Sequence, residues 1–297
     1  MLTIDTVQNH DGRSLASFID LADEVFLREK KRSGSVLIRY PNLFQPENFR
    51  NLYTVWCGDE LAGVTAIREF ECSIRDTTLR GAMVGLVAVR KQYRGQGIGC
   101  QMMERVTTII RQRAINFAVL WATSPAFYAA HGWVPHDIGL YGDLAHPSPK
   151  SNSSLVPSPS AVWYSVEARR LNNEGLSIRR TFLDYCVTPS GVEKVLCFRS
   201  QNDVNKGAYA IVGVRGETGV LYEMIGDTAY FAEIWEAVSS QFSSISVNDH
   251  SGSISHKWLK SYTALQWHPQ TLSLWLRCNN EVNYDISSLH IPYFDRI

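Results

Sequence analysis

The sequence predicts an α/β protein of two domains. The chain has 297 residues, about twice the ~150 residues of a common domain, and strand-length apolar segments alternate with segments of helical periodicity. Residues 146–160, HPSPKSNSSLVPSPS, concentrate Pro and Ser and suit neither a helix nor a central strand. We interpret them as a linker between domains 1–145 and 161–297. A long surface loop within one domain is the alternative, although such loops are uncommon in compact domains.

The composition excludes several classes of protein. The 29 basic side chains balance the 29 acidic ones, so no overall field attracts nucleic acid or an anionic membrane. The sequence has no apolar run long enough for a transmembrane helix and no secretory signal at its start. Its 6 scattered cysteines argue against a disulfide framework and against a metal site. We expect a cytoplasmic monomer or homodimer with reduced thiols and no nucleic-acid or membrane partner.

The elements of the first domain follow from periodicity. Apolar residues at helical spacing predict one helix that starts near Asp11 and another after Gly99. Residues 81–89, GAMVGLVAV, are almost continuously apolar, as expected of a strand buried on both faces. In chain order, the predicted strands are Leu2–Val7, Leu52–Trp56, Leu61–Ile67, Gly81–Val89 and Asn116–Ala122, and a short helix covers Pro125–Ala130.

The second domain repeats part of this order. Its predicted strands and helices are Tyr209–Val214, Val220–Ile225, a helix around 231–238, Ser244–Val247, a helix over Ser255–Tyr262 and a closing strand Thr271–Arg277. The repeat lies in element order alone and not in sequence identity. Gly226-Asp227-Thr228 follows its second strand, where the first domain has a glycine-rich loop.

That glycine-rich loop, residues 90–99 (RKQYRGQGIG), joins the buried strand to a helix. Gly95, Gly97 and Gly99 permit backbone conformations closed to other residues and a close approach to a ligand. The first turn of a helix has unpaired N–H groups and a partial positive charge, and Arg94 adds a cation. We therefore expect a phosphate or pyrophosphate here; a tight turn with nothing bound is the alternative.

Two common phosphate motifs do not fit. A Walker loop needs Lys and then Ser or Thr after its last glycine, where Cys100 and Gln101 stand. A dinucleotide fingerprint needs glycine at position 100 and an acidic residue further on, and residues 116–124 contain none.

Arg94-Gly95-Gln96-Gly97-Ile98-Gly99 instead fits the coenzyme A loop of the GNAT N-acetyltransferase superfamily, Arg/Gln-x-x-Gly-x-Gly/Ala. Residues 127–133, FYAAHGW, stand where that superfamily has a second landmark. Residues 1–145 therefore resemble this superfamily. The resemblance implies a mixed, mostly antiparallel twisted sheet flanked by helices in each domain. It also implies a tandem arrangement in which residues 161–297 form a degenerate GNAT-like domain without the glycine loop.

The resemblance also implies site residues. The pantetheine arm of acetyl-CoA would pair with the strand backbone, and a backbone N–H of Val87 or Val89 would stabilise the oxyanion. Tyr128 resembles the tyrosine that protonates the departing thiolate, and a phenol with a pKa near ~10 is protonated at neutral pH; a core tyrosine is the alternative. The implied cofactor-binding residues are Leu86, Val87, Ala88, Val89, Arg94, Gly95, Gln96, Gly97, Ile98, Gly99 and Phe127.

The general base stays open. Glu69, Glu71 and His131 are candidates, although solvated strand carboxylates and a histidine that caps a helix are common. Some multidomain relatives use a chain-terminal carboxylate, which would be that of Ile297, and a neutral amine would need no base.

These residues predict an acetyl-CoA-dependent N-acetyltransferase that moves an acetyl group to a small-molecule amine by direct attack on the thioester, without a metal. One alternative is a non-catalytic acyl-CoA binding or sensing protein. Another is an acyltransferase with a different donor or acceptor, because the loop recognises only the phosphates of the coenzyme.

Overall fold

A computed structural model describes residues 2–7, 12–74, 77–136, 138–145, 147, 155–157, 170, 176–181, 184–185, 188–189, 191–200, 207–278 and 289–296. Most of the predicted linker 146–160 lies outside these residues, as do Asp11 and Ile297. The division of the chain at this linker therefore stays a prediction.

The first sheet and the second sheet are built from the following described elements. The strands are β1 (Leu2–Thr6), β2 (Leu52–Cys57), β3 (Glu60–Ile74), β4 (Thr77–Val89), β5 (Phe117–Trp121), β6 (Val134–Pro135), β7 (Gly139–Ala145), β8 (Leu176–Ile178), β9 (Lys194–Arg199), β10 (Ala208–Arg215), β11 (Thr218–Gly226), β12 (Ser244–His250), β13 (Gln266–Pro269) and β14 (Ser273–Arg277). The α-helices are α1 (Gly12–Asp23), α2 (Val36–Arg39), α3 (Ile98–Gln112), α4 (Pro125–Ala129), α5 (Phe231–Ser239) and α6 (Ile254–Tyr262).

The first sheet has the strand order β1-β2-β3-β4-β5-β14-β6, with β8 paired to β3. Its strands pair antiparallel except for β4 and β5, which are parallel. The crossover between those two strands contains α3, whose apolar stripe packs on one face through Met103, Val106 and Ile110. Helix α1 packs on the other face through Phe18 and Leu21. The amphipathic periodicity therefore predicted both helices and the faces that they bury, while the structure shows that they cover opposite faces of the sheet.

The second sheet has the order β13-β7-β12-β11-β10-β9. Its one parallel pair among the described strands is β11 with β12, and α5 lies in the crossover between them. Buried residues of α5 and α6, among them Ile234 and Leu259, share a core cluster with Leu221 and Val247 of this sheet. Two mixed, mostly antiparallel sheets flanked by helices confirm the predicted fold class.

Two strands lie in the sheet of the opposite half of the chain. Strand β14, which the sequence predicts as the closing strand of the second domain, pairs with β5 and β6 in the first sheet. Strand β7, within residues 1–145, pairs with β12 and β13 in the second sheet. The sequence-based placement of Thr271–Arg277 in the second domain is therefore wrong. Periodicity identifies a strand but not its partner, since pairing depends on contacts distant in sequence.

A buried ion-pair cluster connects the two sheets. The Arg180 side chain is 0% exposed and donates to both carboxylate oxygens of Glu223 on β11 at 2.9 and 2.8 Å. It also donates to both oxygens of Asp295 at 2.7 and 2.9 Å. Burial alone raises the pKa of Asp295, but the Arg180 guanidinium lowers this pKa below its ordinary value. The cluster therefore holds the segment that contains Asp295 against the second sheet as a charged, fully bonded unit.

Two expectations from composition can be compared with the structure. The described cysteines Cys57, Cys72, Cys100, Cys197 and Cys278 are free thiols. Among the helices that the structure describes, none has the length and apolar content needed to cross a membrane.

Candidate functional site

Strands β4 and β5 diverge in the middle of the first sheet. Their parallel pairing covers three residue pairs, from Gly81↔Phe117 to Met83↔Val119, while β4 continues to Val89 and β5 ends at Trp121. Along residues 84–89, the described pairing of β4 is with β3 alone. The backbone on the other edge of this segment therefore borders a gap, where an extended ligand can bind by strand-like hydrogen bonds. The predicted residues Leu86, Val87, Ala88 and Val89 lie along that edge.

A β-bulge interrupts the pairing of this segment of β4 with β3. Val64 pairs with Ala88 and Ala66 pairs with Gly85, so both Leu86 and Val87 oppose Thr65. Leu86 has φ +52°, a left-handed conformation that is costly for a residue with a Cβ. Its side chain is 7% exposed and packs in the same core cluster as α1, which stabilises the strained backbone. The bulge re-aims the peptide groups of β4 beside the gap.

The glycine loop ends at the exposed N-terminus of α3. Gly95 and Gly97 have φ +79° and +78°, and a Cβ at either position would meet no atom within 4 Å. Positive φ rather than crowding therefore requires glycine at both. Gly97 is the N-cap of α3, no side chain caps this end, and the first turn has no acidic residue. The first amides of α3 can consequently bind an anion, and the helix dipole favours it.

The matching turn of the second sheet is built differently. After β11, the Asp227 carboxylate accepts a hydrogen bond from the Ala229 backbone N–H at 2.9 Å and so occupies the start of the short helix Thr228–Tyr230. A Cβ on Gly226 would lie 2.5 Å from the Gly207 carbonyl oxygen, so the chain is closely packed here. A carboxylate at this position disfavours a phosphate.

Arg94 has a different immediate role from the one its sequence position predicts. Its Nη2 lies 2.8 Å from Glu29 Oε1, and its Nε donates to the Val89 carbonyl at 2.9 Å. The guanidinium therefore ties the end of β4 to the segment after α1. Because both side chains are partly exposed, at 43% and 33%, the ion pair itself contributes at most about 1 kcal/mol.

Phe127 and Tyr128 lie next to the glycine loop. Both belong to α4, which begins four residues after β5 ends. A Cβ on Gly99 would lie 3.3 Å from Phe127 Cζ and 3.8 Å from Val89 Cγ2, so the missing side chain of Gly99 lets the Phe127 ring pack against the first turn of α3. The Tyr128 ring packs edge-on against Phe127, with centroids 4.9 Å apart. The structure thus brings the two sequence motifs together.

The Tyr128 hydroxyl is suited to donate a proton. Burial raises the pKa of Tyr128 above its ordinary value of 10.0, so the phenol is protonated at neutral pH. Among the described residues, none forms a hydrogen bond with this hydroxyl. Its proton is therefore not committed to another protein group.

The candidate bases lie in different places. Glu69 pairs with Arg80 at 2.9 Å and Arg113 at 2.8 Å, and it aligns with Ala82, far along the sheet from Gly63↔Val89 at the loop. Glu71 lies further still in the same direction. His131, by contrast, has its ring centroid 5.6 Å from that of Phe127, and its buried Nε2 has no hydrogen-bond partner in the described chain. Of these three residues, the structure brings only His131 near Tyr128.

A cavity of about 230 Å³ adjoins the point where the gap opens. Its wall includes Trp121, the last residue of β5, and Arg68 of β3. Arg68 aligns with Met83, which aligns with Val119 in the last parallel pair before the gap. The cavity wall also includes residues 39–42 and 293–296. Sequence analysis missed this cavity, because its walls come from segments far apart in the chain.

Comparison with known proteins supports the fold and the domain type. Residues 7–135 match the family described as acetyltransferase (GNAT) domain. A GCN5-related N-acetyltransferase from Anabaena variabilis superposes with a TM-score of 0.74 at 12% identity, covering 94% of this chain and 73% of that one. A tandem GNAT protein from the clavulanic acid biosynthesis pathway superposes with a TM-score of 0.57 at 12% identity, covering 95% of this chain and 100% of that one. At these identities, the superpositions show the fold alone.

One curated relative is similar in sequence over a short stretch. The aminoglycoside 2'-N-acetyltransferase of Mycolicibacterium fortuitum is 40% identical over 63 residues, which are 20% of this chain and 32% of that protein. The chain therefore matches about a third of the length of this relative.

Proposed function

Because residues 7–135 match the acetyltransferase (GNAT) domain family, we propose that this protein is an acetyl-CoA-dependent N-acetyltransferase that acetylates the amine of a small molecule. The observation that carries the proposal is the uncapped N-terminus of α3 beside the gap between β4 and β5. An anion-binding helix end and an unpaired strand edge are the two features that a ligand with a pyrophosphate and an extended amide arm requires.

The residues around the gap fit this ligand. The backbone of Gly95, Gln96, Gly97, Ile98 and Gly99 would hold the pyrophosphate, and the strand edge at 86–89 would pair with the pantetheine amides. Phe127 closes the loop side of the gap by packing on Gly99. Arg94, held by Glu29, positions the loop and adds positive charge near it.

The chemistry then needs few side chains. Acetyl-CoA would supply the thioester that the amine attacks. The backbone N–H of Val87 or Val89 would donate to the oxyanion, as a dipole oriented before the reaction begins. The Tyr128 hydroxyl would donate its proton to the sulfur as the C–S bond breaks, while the C–N bond forms and the ammonium loses a proton. His131 is the described candidate nearest Tyr128 for accepting that proton.

A cytoplasmic location is part of the proposal, since the five described cysteines are free thiols and free thiols suit a reducing compartment. We also propose that the protein works as a monomer or homodimer. A non-catalytic acyl-CoA sensor is the second candidate, because Glu69 and Glu71, the described carboxylate candidates for the base, lie away from Tyr128.

Titration calorimetry with acetyl-CoA tests the proposal before any acceptor is known. We expect one site per chain, and we expect Gly97→Glu to weaken binding at least about 100-fold, because it adds strain at positive φ and places a carboxylate where the phosphate binds. The matched control is Gly216→Glu, at another glycine with positive φ (+54°) and open surroundings, in the second sheet.

The outcomes separate the candidates. Loss of binding in Gly97→Glu but not in Gly216→Glu supports the loop as the phosphate site. Two sites per chain would contradict a degenerate second domain, and no binding by the wild type would overturn the proposal. Acetyl-CoA binding without turnover across a broad amine panel would favour the sensor.

A further inference from the structure

We propose that the cavity beside the gap takes a small amine with a flat apolar body and one anionic group, such as a carboxylate, rather than a polycationic acceptor. This inference rests on the proposed function, since it assigns the acceptor side of the same site. It concerns the cavity of about 230 Å³ lined by Trp121, Arg68 and residues 293–296.

The size of the cavity and the aromatic residues in its wall favour a flat body. A volume of about 230 Å³ suits a molecule of one ring with short substituents. Four aromatic residues contribute to the wall, and aromatic faces stack on flat groups. These residues are Tyr40, Trp121, Tyr293 and Phe294.

The two aspartates of the wall already have their partners. Asp184 accepts from Arg68 at 2.6 Å and Asn42 at 2.9 Å on one oxygen, and from the backbone N–H and hydroxyl of Thr181 on the other. A carboxylate has about four acceptor positions, and these bonds use them. Asp295 is 3% exposed and accepts from Arg180 on both oxygens. Both carboxylates of the described wall are therefore already hydrogen-bonded, and a ligand with several ammonium groups would have to compete for them.

The arginines of the wall suit an anion. Arg39, Arg68 and Arg296 line the cavity, against the two aspartates, so the formal charge of the described wall is positive. The Arg296 guanidinium lies over Trp121, 4.8 Å from its ring centroid, and 5.4 Å from that of Tyr293. Its Nε donates to the Ile291 carbonyl. A guanidinium is a planar fork of N–H donors that matches the geometry of a carboxylate, so an anionic substituent of a ligand is expected to be directed to the arginines of this wall.

Two matched pairs of amines test this inference in a thiol-release assay with acetyl-CoA: 4-(aminomethyl)benzoate with benzylamine, and L-phenylalanine with 2-phenylethylamine. Kanamycin serves as the polycation. We expect kcat/KM to be about 10- to 100-fold higher for the carboxylate-bearing member of at least one pair than for its partner, as for a charged hydrogen-bonded contact. We expect kcat/KM for kanamycin to be lower than for that carboxylate-bearing amine.

Arginine variants locate the effect. Arg296→Gln should reduce the preference for the carboxylate toward unity, and Arg296→Lys should restore part of it. Calorimetry should show unchanged acetyl-CoA affinity in both variants, which excludes misfolding as the cause. Arg105→Gln, at an exposed arginine of α3, is the control and should keep the full preference.

Each result decides one question. Faster turnover of kanamycin, equal turnover within both pairs, or a preference that survives in Arg296→Gln would overturn the inference while leaving an acetyltransferase. If no amine reacts, calorimetry measures the binding of both pairs of amines to the protein with coenzyme A present. The inference is then overturned if the carboxylate-bearing members do not bind more tightly than their partners. Absence of acetyl-CoA binding instead overturns the proposed function.

Discussion

Single residues of the site combine two kinds of requirement, conformation and chemistry. Gly97 is required for its left-handed backbone, with open space around it, whereas a Cβ at Gly99 would lie 3.3 Å from Phe127 and would force the ring to shift. Tyr128 contributes chemistry, because burial raises its pKa above 10.0 and keeps its phenol protonated. Local sequence indicated all three residues, but only the structure separates their reasons.

Replacement of Tyr128 tests the general acid. We expect Tyr128→Phe to lower kcat by about 100-fold or more, the low end of the range for general acid catalysis, while acetyl-CoA affinity is unchanged. The acid acts when protonated, so wild-type kcat should fall only as the pH rises through the pKa of Tyr128. Since this pKa is raised, the fall should lie above about pH 10.

The pH profile of kcat in both proteins provides the measurement. Tyr128→Phe should lack that alkaline fall, whereas Tyr262→Phe, a change in α6 of the second sheet, should keep it. An unchanged kcat in Tyr128→Phe would assign Tyr128 to core packing instead.

At the scale of elements, the bulge in β4 distinguishes this strand from an ordinary buried one. The sequence GAMVGLVAV predicted a buried strand correctly, and β4 extends from Thr77 to Val89. The two residues opposite Thr65 and the positive φ of Leu86 depend on how β3 and β4 align. The bulge lies beside the gap, so the strain is at the site where peptide groups must point at a ligand.

Substitutions of Leu86 test this strain. Both Leu86→Ala and Leu86→Gly should lower the free energy of unfolding by about 2–5 kcal/mol, since each removes a buried side chain. Glycine tolerates positive φ, however, so Leu86→Gly should be more stable than Leu86→Ala by about 1 kcal/mol.

Leu79, 1% exposed in the same strand, is the matched control, because its φ is not among the positive values. At this position, the Leu79→Ala variant should be more stable than the Leu79→Gly variant by about 0.5–1 kcal/mol. Urea denaturation of the four variants measures both differences, and the same order at both positions would contradict the strain.

At the scale of the whole molecule, the reciprocal placement of β7 and β14 joins the two sheets. Each sheet contains a strand from the other half of the chain, and Arg180 connects Asp295 to Glu223 of β11. Unfolding of the first sheet would therefore release β14, and unfolding of the second sheet would release β7, so each sheet depends on a strand from the other half of the chain. The arrangement also brings residues 293–296 to the cavity lined by Arg68 and Trp121 of the first sheet.

This connection predicts one cooperative thermal transition by calorimetry. Arg180→Met should lower the free energy of unfolding by about 3–5 kcal/mol, because it leaves two buried carboxylates without their cation. The control Arg28→Met removes an ion pair whose side chains are 53% and 60% exposed and should cost less than about 1 kcal/mol. Two separate transitions, or equal costs for the two variants, would contradict the connection.

The sequence alone determined the features that depend on neighbouring residues. Periodicity predicted α1, α3, α5 and most of the central strands, because burial of one face imposes a local pattern. The run Arg94–Gly99 and the motif that contains Phe127 and Tyr128 indicated the candidate site through their resemblance to a known family. The glycines have a local reason as well, because a left-handed turn before a helix needs glycine.

Only the tertiary structure decided what depends on distant residues. The exchange of β7 and β14, the bulge at Leu86, the pairing of Arg94 with Glu29 and the cavity between Trp121 and residues 293–296 have no local pattern. Strand partners, ion pairs and cavity walls are selected by packing among segments that are not neighbours in the chain, and the periodicity of one segment carries no information about its partner.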